Sequence, residues 1–463
     1  MKPVLSSVLV ALLVGGCGGG GDDDGADGDG GANIDGAGAN ADPMLIPGGG
    51  VRSGAIDGVL HVHAIDGEDD SPIGGATVYV DDLEGTTASS GLITFEDASL
   101  SGAQTITVVA GGFATSTWIG ANGTNVTVPL SRPTTTTPQA HVEGTITGWD
   151  SLPSPGLGEY NLAVVLYSFT DDFGSPENTI AQPMSGGDAL NLCINSPLSN
   201  PGCNWQMNTR VGPQVHFAVI LRADDGGSLT DPSDDTYELL GFAMKAGQNM
   251  SSGQNLTGQA LAMVDVSGFA DATVTFPAAP TGAQTSRVAV PFVDMGAEGQ
   301  LPMPLPTLAP GANTTKVPPL SGAFANATYN MISIAVPEGA ERPFSSSFAR
   351  DVSLTGTYPL PGYLAPPTGL SANSGTFAFS GANGAAAHLI SFLDSGESTS
   401  WLVTILDDTE TFAIPPNIPN PLPTGTVEMR ATAFELPNFN PADFSLATLP
   451  ADLTRVSDDN ITF

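Results

Sequence analysis

Five histidines, His61, His63, His141, His216 and His388, are the only side chains of this chain that titrate near neutrality without a special environment. None lies in a His-Glu-x-x-His zinc pattern. There is no Gly-x-x-x-x-Gly-Lys phosphate loop and no Gly-x-Ser-x-Gly nucleophile turn. A Ser-His-Asp triad is assembled from distant positions, so His141 and His216 stay open as bases of an unrecognised hydrolase site within residues 139–360. His61 and His63 stand two apart, which on a strand places both on one face. They would share a metal only with a third ligand, for which Asp66 and Glu68 are nearest in sequence. The plainer reading, two polar residues on the solvent face of a strand, is preferred. Carboxylates are more abundant. Asp81-Asp82-Leu83-Glu84 and Asp407-Asp408-Thr409-Glu410 are acidic runs, and Asp224, Asp225, Asp231, Asp234 and Asp235 crowd one loop with Gly226, Gly227 and Ser228 between them. Calcium takes six to eight oxygens from such loops, so these five Asp form the candidate calcium site. The competing reading is a solvated loop in an acidic protein. Asp27-Gly28-Asp29-Gly30 lacks the Glu and the flanking helices of an EF-hand and is read as solvated chain. Four tryptophans remain. Trp401 reads as core, while Trp149 and Trp205 lie beside turns and could stand exposed as aromatic contacts for a sugar.

Cys193 and Cys203 flank a run of turn formers: Asn195, Pro197, Asn200, Pro201 and Gly202. The expectation is a disulfide closing this loop in an oxidising compartment. A metal pair is the rival, and His216 alone does not complete its ligand set.

The third cysteine, Cys17, ends a different pattern. Lys2 is followed by the apolar run from Val4 to Val14, too short to span a bilayer, and then by Leu13-Val14-Gly15-Gly16-Cys17. This resembles a bacterial lipoprotein signal, with Val14 in place of the usual Leu three residues before the cysteine. The resemblance implies cleavage after residue 16 and lipidation of Cys17, with more than one acyl chain and hence stable membrane attachment. Gly18 rather than Asp follows the cysteine, which favours the outer membrane. No later segment reaches 18 apolar residues.

Composition narrows the classes further. The 463 residues include 57 Gly and 38 Pro, about a fifth of the chain against an ordinary share of roughly 12%. Charged residues are 13%, about half the usual quarter, and 48 acidic residues face 12 basic ones for a net charge of −36. Coiled coils and helical bundles are excluded by the scarcity of Lys, Arg and Glu. Binding to nucleic acid is excluded because it needs clustered cations on phosphate. With 41% hydrophobic residues the chain can build packed cores. Residues 17–54, rich in Gly and Asp, cannot, and read as a disordered tether.

Beyond the tether nearly every patterned run has period two. Ala76, Val78 and Val80 share a face, as do Val126, Val128 and Leu130; Val215, Phe217, Val219 and Leu221; Trp401, Val403 and Ile405; and Val427, Met429, Ala431 and Ala433. Such runs, bounded by Gly, Pro, Asn and Asp, are strands. No run of ten residues has helical period. The expected fold is all-β: tandem β-sandwich modules, Ig-like or transthyretin-like, after the tether. Breaks at Arg132–Pro138, Pro277–Gly282 and Pro359–Gly369 divide it into residues 55–131, 139–276 (with the loop disulfide), 283–360 and 369–463. The middle two could be one larger unit.

The first module carries a resemblance. Gly58-Val59-Leu60-His61-Val62, Pro72-Ile73-Gly74-Gly75-Ala76-Thr77-Val78-Tyr79-Val80, Ser90-Gly91-Leu92-Ile93-Thr94-Phe95 and Ile106-Thr107-Val108-Val109-Ala110-Gly111-Gly112-Phe113 follow the order and spacing of the carboxypeptidase regulatory-like domain. Residues 58–130 resemble that family, which implies a transthyretin-like sandwich with an accessory, non-catalytic role. Thr87-Ala88-Ser89-Ser90-Gly91 lacks the family's Asp at that turn. Residues 369–463 look more loosely like a fibronectin type III sandwich.

These readings converge on an envelope lipoprotein held to the membrane by its lipid anchor. It would act without catalysis or a resident cofactor, as a structural or binding module for a glycan or protein ligand. A calcium-dependent adhesin or carbohydrate-binding surface protein is the second reading, and the secreted hydrolase the third.

Overall fold

The computed structural model describes residues 45–133, 137–170, 191–199, 202–224, 236–303, 314–354 and 356–463. The described chain is all-β. Its helices are a single four-residue turn, Leu449–Asp452, and a few 3-10 turns. It forms two compact units, and they do not follow the expected in-line order of four modules. One unit is residues 136–363. The other joins the segment before residue 136 to residues 364–463. The unit boundaries fall inside the expected breaks at Arg132–Pro138 and Pro359–Gly369, and the middle two modules are one larger unit, so the break at Pro277–Gly282 lies within it. Proline interrupts a strand, but it does not say which strand the chain pairs with next.

In the unit of residues 136–363, a seven-stranded sheet runs in the order Leu192–Asn195, Glu159–Tyr167, Gly212–Asp224, Thr236–Met250, Asn255–Val264, Ala140–Thr147, Asn204–Thr209. All neighbours are antiparallel except Asn255–Val264 beside Ala140–Thr147. At that parallel pair the register slips between Leu256 and Gln259 and the backbones close in. A Cβ on Gly144 would stand 1.9 Å from the carbonyl oxygen of Gln259, so only glycine fits. The central strand Gly212–Asp224 is apolar on both faces because both are covered. Ala218 and Ile220 face a core with Ala163, Val165, Tyr167, Trp149, Trp205, Met207 and Leu261. Val215, Phe217, Val219 and Leu221 face a second core capped by Phe269, Val293, Leu301 and Phe324. Two further sheets complete the unit: Gln300–Pro302, Ser286–Asp294, Thr328–Val336 and Phe344–Ala349, and the smaller Thr314–Val317, Ala270–Thr275 and Thr357–Pro359. Ala272, Val274, Ala289, Val317 and Met331 pack between them.

The disulfide forms as the sequence indicated. Cys193 and Cys203 are bonded with Cα atoms 5.3 Å apart. Its position adds something the spacing did not reveal. Cys193 lies on one edge strand of the seven-stranded sheet, and Cys203 immediately precedes the other edge strand. The bond therefore ties the two edges of a sheet that curls until they meet.

In the other unit, a five-stranded sheet runs Phe444–Ser445, Gly50–Arg52, Asn125–Leu130, Asp57–Asp66, Leu92–Ser101. It faces one half of a run of eight strands in the order Arg455–Thr462, Glu428–Glu435, Ala387–Leu393, Thr399–Ile405, Thr115–Ala121, Gln104–Val109, Thr77–Val80, Leu83–Thr86. The first core, with Leu60, Val62, Val78, Val80, Ile106, Trp118, Val126 and Val128, fills that sandwich. Thr368–Asn373, Thr376–Ser380 and Thr411–Ala413 cover the other half around Phe377, Phe392, Trp401, Phe412 and Met429. Phe392 and Trp401 stack with ring centroids 4.7 Å apart. The first and last modules read from the sequence thus share one run of strands, joined where Thr399–Ile405 pairs in parallel with Thr115–Ala121.

The tether also ends earlier than expected. Ile46 and Val51 are fully buried, and Gly50–Arg52 pairs with both Asn125–Leu130 and Phe444–Ser445. The Gly-rich approach to this strand reads as disorder by composition. Its glycines instead let the backbone pass close to its neighbours: a Cβ on Gly50 would lie 2.2 Å from the Phe444 carbonyl oxygen. Residues 17–44 of the expected tether, with Cys17, lie outside the described residues.

The edge-to-edge bond yields a direct expectation. Replacing Cys193 and Cys203 by Ser should lower unfolding stability by about 2–3 kcal/mol, the loop-closure value for so short a loop. The readout is the urea midpoint with and without reductant, and wild type and the double variant should converge once reduced.

Candidate functional site

The chemistry-bearing side chains of the unit of residues 136–363 collect at one end of its curled sheet. Tyr167, His216 and Lys245 are register partners on three adjacent strands. They share the face of Ala163, Ala218 and Ala243, which belong to the core inside the curl. Lys245 Nζ donates to Gln259 Oε1 on the next strand. Gln214 Nε2 donates to the carbonyl of Arg210 at 2.8 Å and reaches Thr209 Oγ1 at 3.4 Å. Arg210, buried like His216, spreads its guanidinium over backbone carbonyls: Nε to Ser168 at 3.1 Å, Nη1 to Val211 at 3.2 Å and Nη2 to Pro213. A planar fork of five donors suits such a ring of carbonyl dipoles. Ser168 links onward, its hydroxyl donating to the Glu298 carbonyl and accepting from the Val215 amide.

His216 is fully buried, and neither ring nitrogen has a hydrogen-bond partner among the described residues. Burial lowers its pKa to about 4, with the charges of Lys245 and Arg210 adding to the shift. The imidazole is therefore neutral at physiological pH. A triad histidine is held by a carboxylate on one nitrogen and faces a nucleophile on the other. Among the described residues His216 has neither bond, and it sits beside the two cations Lys245 and Arg210.

The other histidines are placed individually. His141 Nδ1 bonds Asn208 Oδ1 at 3.1 Å across the Ala140–Thr147 and Asn204–Thr209 pair. His388 Nε2 accepts the Ala382 amide at 3.3 Å. Burial holds its pKa below the usual value, against the pull of Glu410 and Asp408. His61 Nδ1 bonds Thr94 Oγ1 at 2.8 Å. His63 departs from the expected solvent face, being only 6% exposed, because residues 62–66 are covered on both sides of the strand. Asp66 is committed elsewhere: its buried carboxylate takes Arg132 and the Glu68 amide. Among the described residues no three His, Cys, Asp or Glu side chains gather to hold a metal ion.

Of the acidic loop, Asp224 is described. It ends Gly212–Asp224, is exposed, and pairs in register with Glu159 and Thr236. Asp225, Asp231, Asp234 and Asp235 lie outside the described residues. Trp149 and Trp205 correct the sequence reading outright. Both are 2% exposed and belong to the core inside the curled sheet, so neither offers a surface for a sugar. A turn next to a tryptophan in sequence does not expose it when the sheet curls over the turn. Sequence reasoning missed Arg210 and Lys245. For Lys245 the signal was a lone cation inside an apolar strand, in a chain with only 12 basic residues; Arg210, in the turn between Asn204–Thr209 and Gly212–Asp224, carried no such signal.

No protein-family model matches the chain, and no curated protein matches it in sequence. Solved structures do give matches. The shaft pilin SpaA from Lactobacillus rhamnosus GG is 13% identical, covering 46% of this chain and 99% of that one, with a TM-score of 0.12. The Bacillus anthracis TIE protein is 9% identical over 66% of this chain and 50% of that one, with a TM-score of 0.14. A tetra-tandem repeat from the extending region of a large adhesion protein is 11% identical over 88% of this chain and 99% of that repeat, with a TM-score of 0.13. At such identities and scores the likeness is one of β-rich architecture alone.

The state of His216 sets a pH dependence. Its folded pKa lies below the unfolded value of about 6.5, so the unfolded chain binds the extra proton between the two. Stability from this group is complete above pH ~6.5 and falls as pH drops towards 4, by up to about 3 kcal/mol. Urea midpoints measured across that window should show the slope in wild type, and His216→Gln should flatten it.

Proposed function

We propose that this chain is a lipid-anchored protein of the bacterial cell envelope, held at the outer membrane, whose sandwich units act by structure and contact. The observation that carries this reading is the Cys193–Cys203 bond across the edges of the curled sheet, a feature at home in an oxidising compartment. It agrees with the lipoprotein-like run ending at Cys17. The net charge of −36 favours solubility at a crowded surface and repulsion from anionic headgroups, so attachment falls to the acyl chains. The resemblance of residues 58–130 to carboxypeptidase regulatory-like domains fits the same role of accessory module.

Metabolic labelling with a palmitate analogue, followed by fractionation, tests the proposal. The wild-type chain should carry label and sediment with membranes. Cys17→Ala should lose the label and leave the membrane fraction after processing. An unlabelled wild-type chain recovered in the cytosol overturns the reading.

A further inference from the structure

Between Glu428–Glu435 and Arg455–Thr462 the chain makes a long excursion through the short strand Phe444–Ser445 and the turn Leu449–Asp452. It encloses a cavity of about 110 Å³. The floor is apolar. Phe439 and Phe444 lie with ring centroids 5.1 Å apart at a tilt of 46°, and Leu449 completes it. Phe444 is fixed from behind by stacking on Trp118 at 5.8 Å. Phe439 keeps part of its surface open. The rim is polar: Asn438, Asp443 and Asp452 are exposed there, and none of these side chains is hydrogen-bonded among the described residues. Arg455, the cation nearest in sequence, is bound to Glu435 through two nitrogens, so it does not neutralise the rim.

We propose that this pocket binds a single sugar ring, with preference for a ring bearing a free amino group. The space accommodates a few waters at ~30 Å³ each, so a pyranose enters edge-on and leaves its far side in solvent. The C–H groups along that edge pack on the partly open Phe439 ring, and its hydroxyls meet the Asn438 amide and the two carboxylates. The carboxylates select the charge. They favour an ammonium substituent, accept hydroxyls, and repel a uronate. A purely apolar ligand would bury the edge of this rim without bonding to it.

The inference stands apart from the membrane anchor, and its test needs only the purified full chain. Saturation-transfer NMR and titration would use glucosamine, glucose and glucuronate as probes. The expected order is glucosamine, glucose, glucuronate, with dissociation constants in the millimolar range for so small a contact. The amino sugar should lead glucose by about three- to fivefold, the worth of an exposed ion pair. Phe439→Ala should bring every signal to background. Asp443→Asn, on the exposed rim where folding is not at stake, should reduce glucosamine to the level of glucose and leave glucose unchanged. Equal signals from Phe439→Ala and wild type would overturn the proposal, as would glucuronate binding at least as well as glucosamine. So would lysine methyl ester displacing glucosamine at equal concentration, since the pocket would then be reading a cationic side chain.

Discussion

The parallel pairing of Thr399–Ile405 with Thr115–Ala121 is the contact on which the discontinuous unit depends. Its two halves are 284 residues apart where the Trp401 indole donates to Thr117 Oγ1 at 2.9 Å. Thr117 in turn shares a hydrogen bond with Thr107 at 3.0 Å, so one buried hydroxyl joins three strands. Without this pair each half would present an unpaired edge, with a row of amides and carbonyls open to any passing strand. A parallel neighbour always needs a long crossover, and here the crossover contains an entire second unit. Loop-closure entropy rises only logarithmically with length, so the equilibrium cost of the insertion is modest. The kinetic cost is larger, since contacts of such sequence separation form late.

This arrangement also explains which parts of the fold were legible in the sequence. Strand identity was legible, because alternation states which side chains are buried: Met429, Ala431 and Ala433 were read as one face and are fully buried. Strand partnership was not. Period two defines a face and leaves the neighbour open, so residues 55–131 and 369–463 read as two modules although they form one unit. The strand Gly50–Arg52 was hidden for another reason. Its three residues hold one strong β-former, Val51, and its stability comes from being sandwiched between two strands that the local sequence does not show. The cysteine pair was legible because turn formers between two cysteines are local information.

Site residues divide along the same line. His216 was noticed as one of few histidines, but its environment comes from Lys245 and Arg210, which are distant in sequence or on another strand. Trp149 and Trp205 were judged by their neighbours in sequence, and the curl of the sheet reversed that judgement. The five-stranded and seven-stranded sheets place nearly all long side chains in cores, so polar groups able to meet a ligand are left at sheet ends and in excursions. The stretch from Leu436 to Asp452 has no marked periodicity and would be passed over as connection, yet its aromatic rings pack into the first core and hold its shape.

The scarcity of cations decides how the charge is arranged. Arg132 meets Asp66, Arg222 meets Glu159, Lys316 meets Asp271, Arg430 meets Glu428 and Arg455 meets Glu435. Asp66 shows what such a pair accomplishes: its side chain is 2% exposed, and its carboxylate is met by the Arg132 guanidinium and the Glu68 amide. Burial alone would push the Glu435 carboxyl up, and the hydrogen bonds from Arg455 and Thr454 bring it below its usual range instead. Arg210 and Lys245 are turned inward against neutral oxygens, which removes two of the 12 positive charges from the acidic surface. Other carboxylates cap nearby backbone amides instead, as Asp97, Asp265, Asp394 and Asp407 do, and keep their negative charge uncompensated by a cation. Their mutual repulsion is weak at physiological salt, where screening acts within about 8 Å, so the cores can carry it. The same excess gives the outer surface a negative potential that attracts cations and disfavours anions at every mouth and rim.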